Sequence, residues 1–161
     1  MQQLSTRKPA ESSWKSAGLA LIVLAALTAC SAPLSEPEEA LRDWVKRGVE
    51  AAESKQRRAL MAMVSPAYAD ARGNNRDGIE GMLRIYFLRM NTVELLTSIE
   101  EISVIGDSAA EVVLKVGMAG THDGVLGFSA DAYRFAFELQ RQDDEWRLIS
   151  ARWGAWGKEL R

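Results

Sequence analysis

The sequence predicts an α+β domain in which three helices come first and pack on one face of an antiparallel sheet. Three observations carry this. Apolar residues recur at helical spacing between positions 41 and 90, the period changes to two from position 93, and the turns that follow are short enough to join antiparallel neighbours. Size and composition agree with one globular domain. The chain has 161 residues, 26% of them charged and 47% hydrophobic, and its twelve aromatic side chains help to supply a core.

The segment ahead of the domain reads as an address. Residues 1–16 are polar and carry Arg7, Lys8 and Lys15 against Glu11. Residues 17–29 read AGLALIVLAALTA, without a charge. That run is shorter than the roughly 20 residues that cross a hydrocarbon core, but it has the length and basic flank of a signal-peptide apolar region. A buried core helix would show a polar face, and this stretch has none. Leu27-Thr28-Ala29-Cys30 resembles the bacterial lipobox. The resemblance implies that residues 1–29 are removed and that Cys30 becomes the first residue, carrying a diacylglyceryl thioether and an N-acyl chain of palmitate type. Each buried methylene adds about 0.8 kcal/mol, so three chains hold a protein on a membrane almost permanently. Ser31, where an Asp would retain the protein at the inner membrane, points to the outer membrane, facing the periplasm. An ordinary secreted protein with a stray thiol is the other reading. Residues 30–35 form only a short tether, and the domain is expected over 36–161.

The first helix starts at Ser35-Glu36-Pro37-Glu38, which reads as a capping box, and acids at 36, 38 and 39 suit its positive end. Leu41, Trp44, Val45, Val49 and Ala52 form its apolar face. A second helix is predicted over Lys55–Val64, with Leu60, Met61 and Val64 inward, and Ser65-Pro66 stops it. After the break at Gly73-Asn74-Asn75, a third helix spans Arg76–Arg89, with Asn75 as its cap. Its stripe of Ile79, Met82, Leu83, Tyr86 and Met90 reads first as core and second as a ligand groove. Val93, Leu95, Thr97 and Ile99 alternate, and the phase shifts across Glu100-Glu101, which predicts a bulge. A strand over 110–118, a glycine-containing loop over 119–130, a strand over 133–139 and a last strand over 145–156 complete the meander.

Three helices followed by a bent antiparallel sheet resemble the cystatin-like cone of the nuclear transport factor 2-like (SnoaL-like) superfamily. The pieces that carry the resemblance are Tyr68 after the second helix, Gly78-Ile79-Glu80-Gly81-Met82-Leu83 in the third, Gly106-Asp107-Ser108-Ala109 in a hairpin, and Glu145-Trp146-Arg147-Leu148 with Trp153 at the end. The resemblance implies a fold that hosts isomerases, dehydratases, epoxide hydrolases and plain binding modules. It also implies an extra short strand near the helices, which the residue pattern does not reveal. Enzymes of this kind place a carboxylate or His inside the cone.

Strand parity sorts the candidate chemistry. Glu94, Glu111 and Glu138 alternate out of phase with apolar neighbours and face solvent. Asp131 is in phase with Tyr133, Phe135 and Phe137, and is the one candidate catalytic base, at the mouth of an aromatic pocket. Tyr68 or Tyr86 could donate to a developing oxyanion. Tyr68, Tyr86, Tyr133, Phe135 and Arg152 are the candidate ligand contacts. Arg152 either binds an anion inside the cone or pairs with a surface carboxylate. His122, beside Asp123 in the glycine-containing loop, lacks a nucleophile to serve and reads as solvated. Of Trp153 and Trp156, either one ring packs and the other is exposed, where it would suit a partner, or both cover the open end of the cone.

Several classes fall away. A formal net charge of −2 gives no footprint for nucleic acid. One Cys and one His exclude a zinc site, an iron–sulfur cluster and an internal disulfide, so neither metal nor cofactor is expected. Three readings stand: a noncatalytic module for a small apolar ligand or an envelope protein partner, a small-molecule isomerase, dehydratase or hydrolase using Asp131, and a structural homodimer whose cone is filled by its own side chains.

Overall fold

The computed structural model describes residues 35–121 and 128–160, all within one compact unit, Leu34–Arg161. The apolar leader, Cys30, Ser31 and His122 lie outside the described residues. The elements in order are α1 (Glu36–Glu53), α2 (Arg57–Ala62), α3 (Arg76–Arg89), β1 (Glu94–Ile105), β2 (Ala109–Thr121), β3 (Phe128–Gln142) and β4 (Glu145–Ala155). The sheet is an antiparallel meander in the order β1-β2-β3-β4, and the three helices pack on one of its faces.

α1 forms where the apolar spacing requires it, and its Leu41, Trp44 and Val45 are buried against Val112, Leu114, Val116, Leu139 and Trp146 of the sheet. Full burial of a side chain such as Leu41, Val112 or Leu139 stabilises the fold by roughly 1.5–3 kcal/mol each. The start of α1 differs from a capping box. Ser35 occupies the N-cap position, but its side chain makes no cap hydrogen bond, and its carbonyl accepts from the Glu39 amide at 3.0 Å. α2 is shorter than expected. Lys55 adopts φ 51°, a left-handed conformation that a helix cannot contain, so α2 begins after it. α3 has the expected bounds, and Asn75 Oδ1 accepts from the Gly78 amide at 2.9 Å.

The sheet carries two bulges. One lies at Glu100 in β1, between the pairs Ile99↔Leu114 and Glu101↔Val113, as the phase shift in the sequence requires. The other lies at Ile149 in β4, between Glu138↔Ser150 and Leu139↔Leu148, and corrects the expectation that one parity runs from Trp146 to Arg152. Strands β2 and β3 also run further than expected, to Thr121 and from Phe128, which narrows the predicted loop. The free edge of β4 is covered by the segment after α2. Ser65 N donates to Leu148 O, Leu148 N to Met63 O, and Ala69 N to Ile149 O, with Val64 bridging Leu148 in parallel. This bridge stands where the extra short strand was expected, and it hides an edge that would otherwise pair with another chain.

Candidate functional site

A cavity of about 360 Å³ lies between the helices and the concave face of the sheet. Its walls come from every layer. α1 supplies Trp44, Val45, Val49 and Ala52, α2 supplies Leu60, and α3 supplies Ile79, Met82 and Leu83. The sheet supplies Leu95, Thr97, Leu114, Val116, Phe135, Phe137, Ala151 and Trp153 among others. The register explains this lining. Val112, Phe137 and Ala151 are cross-strand partners, as are Leu114, Phe135 and Trp153, so one face of three strands is apolar throughout. The aromatic wall is continuous, with Phe135 5.4 Å from Phe137 and stacked at 21° on Trp153.

No carboxylate, imidazole, amine or guanidinium is among the lining residues. The polar groups that reach the walls are few. The buried Tyr68 hydroxyl donates to Asp70 Oδ2 at 3.0 Å, and its pKa is raised by burial and by the Asp70 carboxylate. It is therefore not a spare donor for an oxyanion. Trp44 Nε1 is buried without a partner among the described residues, and its ring meets Phe137 edge-on at 5.8 Å. Asp70 organises the loop that delivers Tyr68. Burial would raise its carboxyl, but hydrogen bonds from Asn74, Tyr68 and the Arg72 amide outweigh that and hold it below its ordinary value.

The other candidates separate. Phe135 lines the cavity beside Tyr68. Tyr86 and Tyr133, expected as ligand contacts, are not among the lining residues; burial first, then the charge of Asp131 and then Tyr133 push the half-buried Tyr86 phenol upward. Asp131 is exposed and sits in an open groove with Glu53 and Glu94; that groove shares Leu95 and Met118 with the cavity. Arg152 does not enter the cone. The bulge at Ile149 reverses the parity of β4, so Ala151 and Trp153 turn inward and Arg152 turns to the outer face. There its Nη2 pairs with Glu111 at 2.7 Å, near Glu138. The same face carries Glu100 between Lys115 and Arg134, both at 2.6 Å, and the hydrogen bonds from Arg134 and then Lys115 lower its pKa. Trp156 lies under Lys115 Nζ at 4.3 Å and is 54% exposed, whereas Trp153 packs beneath the Arg72 guanidinium.

α3 differs from a core helix: none of its residues is buried, and it roofs the cavity through Ile79, Met82 and Leu83. Its far end is pinned to β2. Asn91 N donates to Thr121 O at 2.7 Å, the Thr92 and Thr121 hydroxyls meet at 2.9 Å, and Lys55 Nζ reaches the carbonyls of Met90 and Asn91. Gly120 permits this approach, because a Cβ there would lie 2.6 Å from the Thr92 carbonyl. Among the described residues no cluster of metal-ligating side chains occurs, and no helix is long and apolar enough to cross a membrane.

The helices, the sheet order and the cavity between them recur in solved proteins. The chain superposes on a ketosteroid isomerase-like protein from Erwinia carotovora atroseptica with a TM-score of 0.64 and 13% identity, over 78% of this chain and 100% of that one. The chain has the nuclear transport factor 2-like fold. A dehydratase-like protein of the nuclear transport factor 2-like family from Streptomyces avermitilis gives a TM-score of 0.64 at 13% identity, covering 74% of this chain and 96% of that one. A hexachlorocyclohexane dehydrochlorinase of the third LinA type from Novosphingobium barchaimii gives 0.63 at 11%, covering 78% and 90%. No protein-family model matches the sequence, and no curated protein matches it.

Proposed function

We propose that this protein is a lipid-anchored envelope protein that holds a small apolar molecule in its cone without transforming it. The observation that carries this is the cavity of about 360 Å³ whose described walls hold no carboxylate, imidazole, amine or guanidinium. A site of that size and polarity takes a molecule by burying hydrocarbon, at roughly 25 cal/mol per Å² removed from water. The lipobox-like Leu27–Cys30 supports the anchor, and Ser31 supports the outer membrane. A cone filled by its own side chains, as in the structural-dimer reading, does not fit this cavity.

Native mass spectrometry of the protein purified from membranes tests the reading. A co-purified mass of a few hundred daltons, beyond the acyl groups on Cys30, is expected. A protein that carries no extra mass, and takes up no apolar probe such as a naphthalene-sulfonate dye, would refute it.

The second reading is an enzyme with Asp131 as base, favoured by the groove that holds Asp131 and shares Leu95 and Met118 with the cavity, and by the isomerase-like and dehydratase-like proteins among the neighbours. If turnover of a ligand identified in this way is found, Asp131→Asn would lower it by at least about a hundredfold. An unchanged rate ends that reading.

A further inference from the structure

We infer that α3 is the face by which the domain rests on an anionic lipid surface. Three apolar side chains of α3 project to solvent: Met82 at 43% exposure, Ile85 at 49% and Leu88 at 80%. Single exposed apolar residues are ordinary, and outside α3 the large ones among the described residues are Leu96 and Ile105, toward opposite ends of β1, and Trp156 after β4. On α3 they share one side of one helix. At 100° per residue Ile85 and Leu88 form a ridge, with the exposed Arg84 on one flank and Arg89 on the other. Neither arginine forms an ion pair among the described residues. The two acids of α3 lie toward its start, and Glu80 is taken by Arg57 at 3.3 Å. An apolar ridge between two unneutralised guanidinium groups matches the boundary between acyl chains and phosphate headgroups.

Two further features select a membrane over a protein partner. The chain outside the described residues ends, on the reading proposed above, at an acylated Cys30 about five residues before α1, so a bilayer is never more than roughly 20 Å from the domain's first residue. Met82 also belongs both to the exposed side of α3 and to the cavity wall, so a helix resting on lipid places the roof of the cavity against the phase in which an apolar ligand is dissolved. On the sheet's outer face Lys115, Arg134 and Arg152 are taken up by Glu100, Glu111 and Glu138, whereas the two guanidinium groups beside the apolar ridge of α3 remain open to a phosphate headgroup.

The test uses the full chain, purified from membranes and reconstituted in phosphatidylethanolamine vesicles with and without phosphatidylglycerol. A fluorophore is placed at Leu88→Cys or, on the sheet's outer face, at Ser98→Cys, and quenching by a nitroxide-labelled lipid is read. At least threefold stronger quenching at position 88, lost when phosphatidylglycerol is omitted, is expected. The double variant Arg84→Glu, Arg89→Glu should lower the docked fraction by at least about fivefold, since each charge at the surface contributes about that factor. Equal quenching at 88 and 98 overturns the proposal, and so does self-quenching between 88 labels on separate copies in detergent, which would assign the face to a second copy. Mass spectrometry of the same samples reports the acyl groups, so a missing anchor is read apart from an undocked helix.

Discussion

Removal of the Asp70 carboxylate should loosen the wall of the cavity without touching its lining. Asp70 accepts from four donor groups: the Tyr68 hydroxyl at 3.0 Å, the Arg72 and Asn74 amides at 2.9 Å each, and the Asn74 side-chain amide, which reaches both oxygens. A buried hydrogen bond to a charged group is worth about 1.5–3 kcal/mol, but Asp70 is only half-buried, and solvent screening cuts that share. About 0.5 kcal/mol for each donor gives a loss of about 2 kcal/mol for Asp70→Ala. For a domain of this size that is a fall of roughly 6–8 °C in Tm, read by circular dichroism. The pH dependence has a fixed sign. The carboxyl lies below its ordinary value of 3.8 in the folded protein, so its contribution is present above that value and is lost as the pH falls through the folded-state value. Asp70→Asn should therefore be less stable than the parent at pH 7, with the gap closing in acid. A Tm within about 2 °C of the parent at pH 7, or a gap that does not change with pH, would refute the reasoning.

Other outcomes follow from the same geometry. Gly120→Ala should cost at least about 2 kcal/mol, because the Thr92 carbonyl at 2.6 Å cannot yield without releasing Asn91 from Thr121, and amide exchange at Asn91 should rise with it. Val116→Phe should fill part of the cavity and abolish retention of the co-purified ligand while the far-ultraviolet spectrum stays unchanged. Arg152→Ala should alter stability by less than about 1 kcal/mol, because its ion pairs are partly exposed, and should leave ligand retention as it was. A ligand lost from Arg152→Ala would put the guanidinium back inside the cone.

The helices and their order were legible because burial imposes a period that needs no partner to be seen. The Asn75 cap and the bulge at Glu100 were legible for a local reason, since a short polar side chain and a broken alternation lie within a few residues of their effect. The bulge at Ile149 left a local mark that was missed: Trp146 and Leu148 are apolar in one phase and Ile149, Ala151 and Trp153 in the other, and the extra residue stands where Ala69 N reaches the Ile149 carbonyl from eighty residues away in the chain. Tyr68 and Phe135 were placed near the cavity by the resemblance and by parity, and Met82 by the second reading of its stripe as a ligand groove, but Trp44 and Trp153 looked like core or surface. Whether an apolar side chain meets another side chain or an empty volume depends on what stands opposite, and periodicity does not carry that. Asp70 had a local signal that went unread: an Asp two residues before Arg72 and four before Asn74, in a glycine-containing break, is the pattern of a carboxylate collecting backbone amides.

The bulge at Ile149 makes the inner wall of the cone sensitive to chain length rather than to residue identity. Removing that one residue would carry every side chain beyond it to the opposite face of β4. Ala151 and Trp153 would leave the ligand volume, and the guanidinium of Arg152 would enter it in their place. A lineage could thus exchange a hydrocarbon-lined chamber for a cationic one through a single codon deletion, with the same strands, order and helices, whereas point substitutions would need several coordinated steps to reach the same interior.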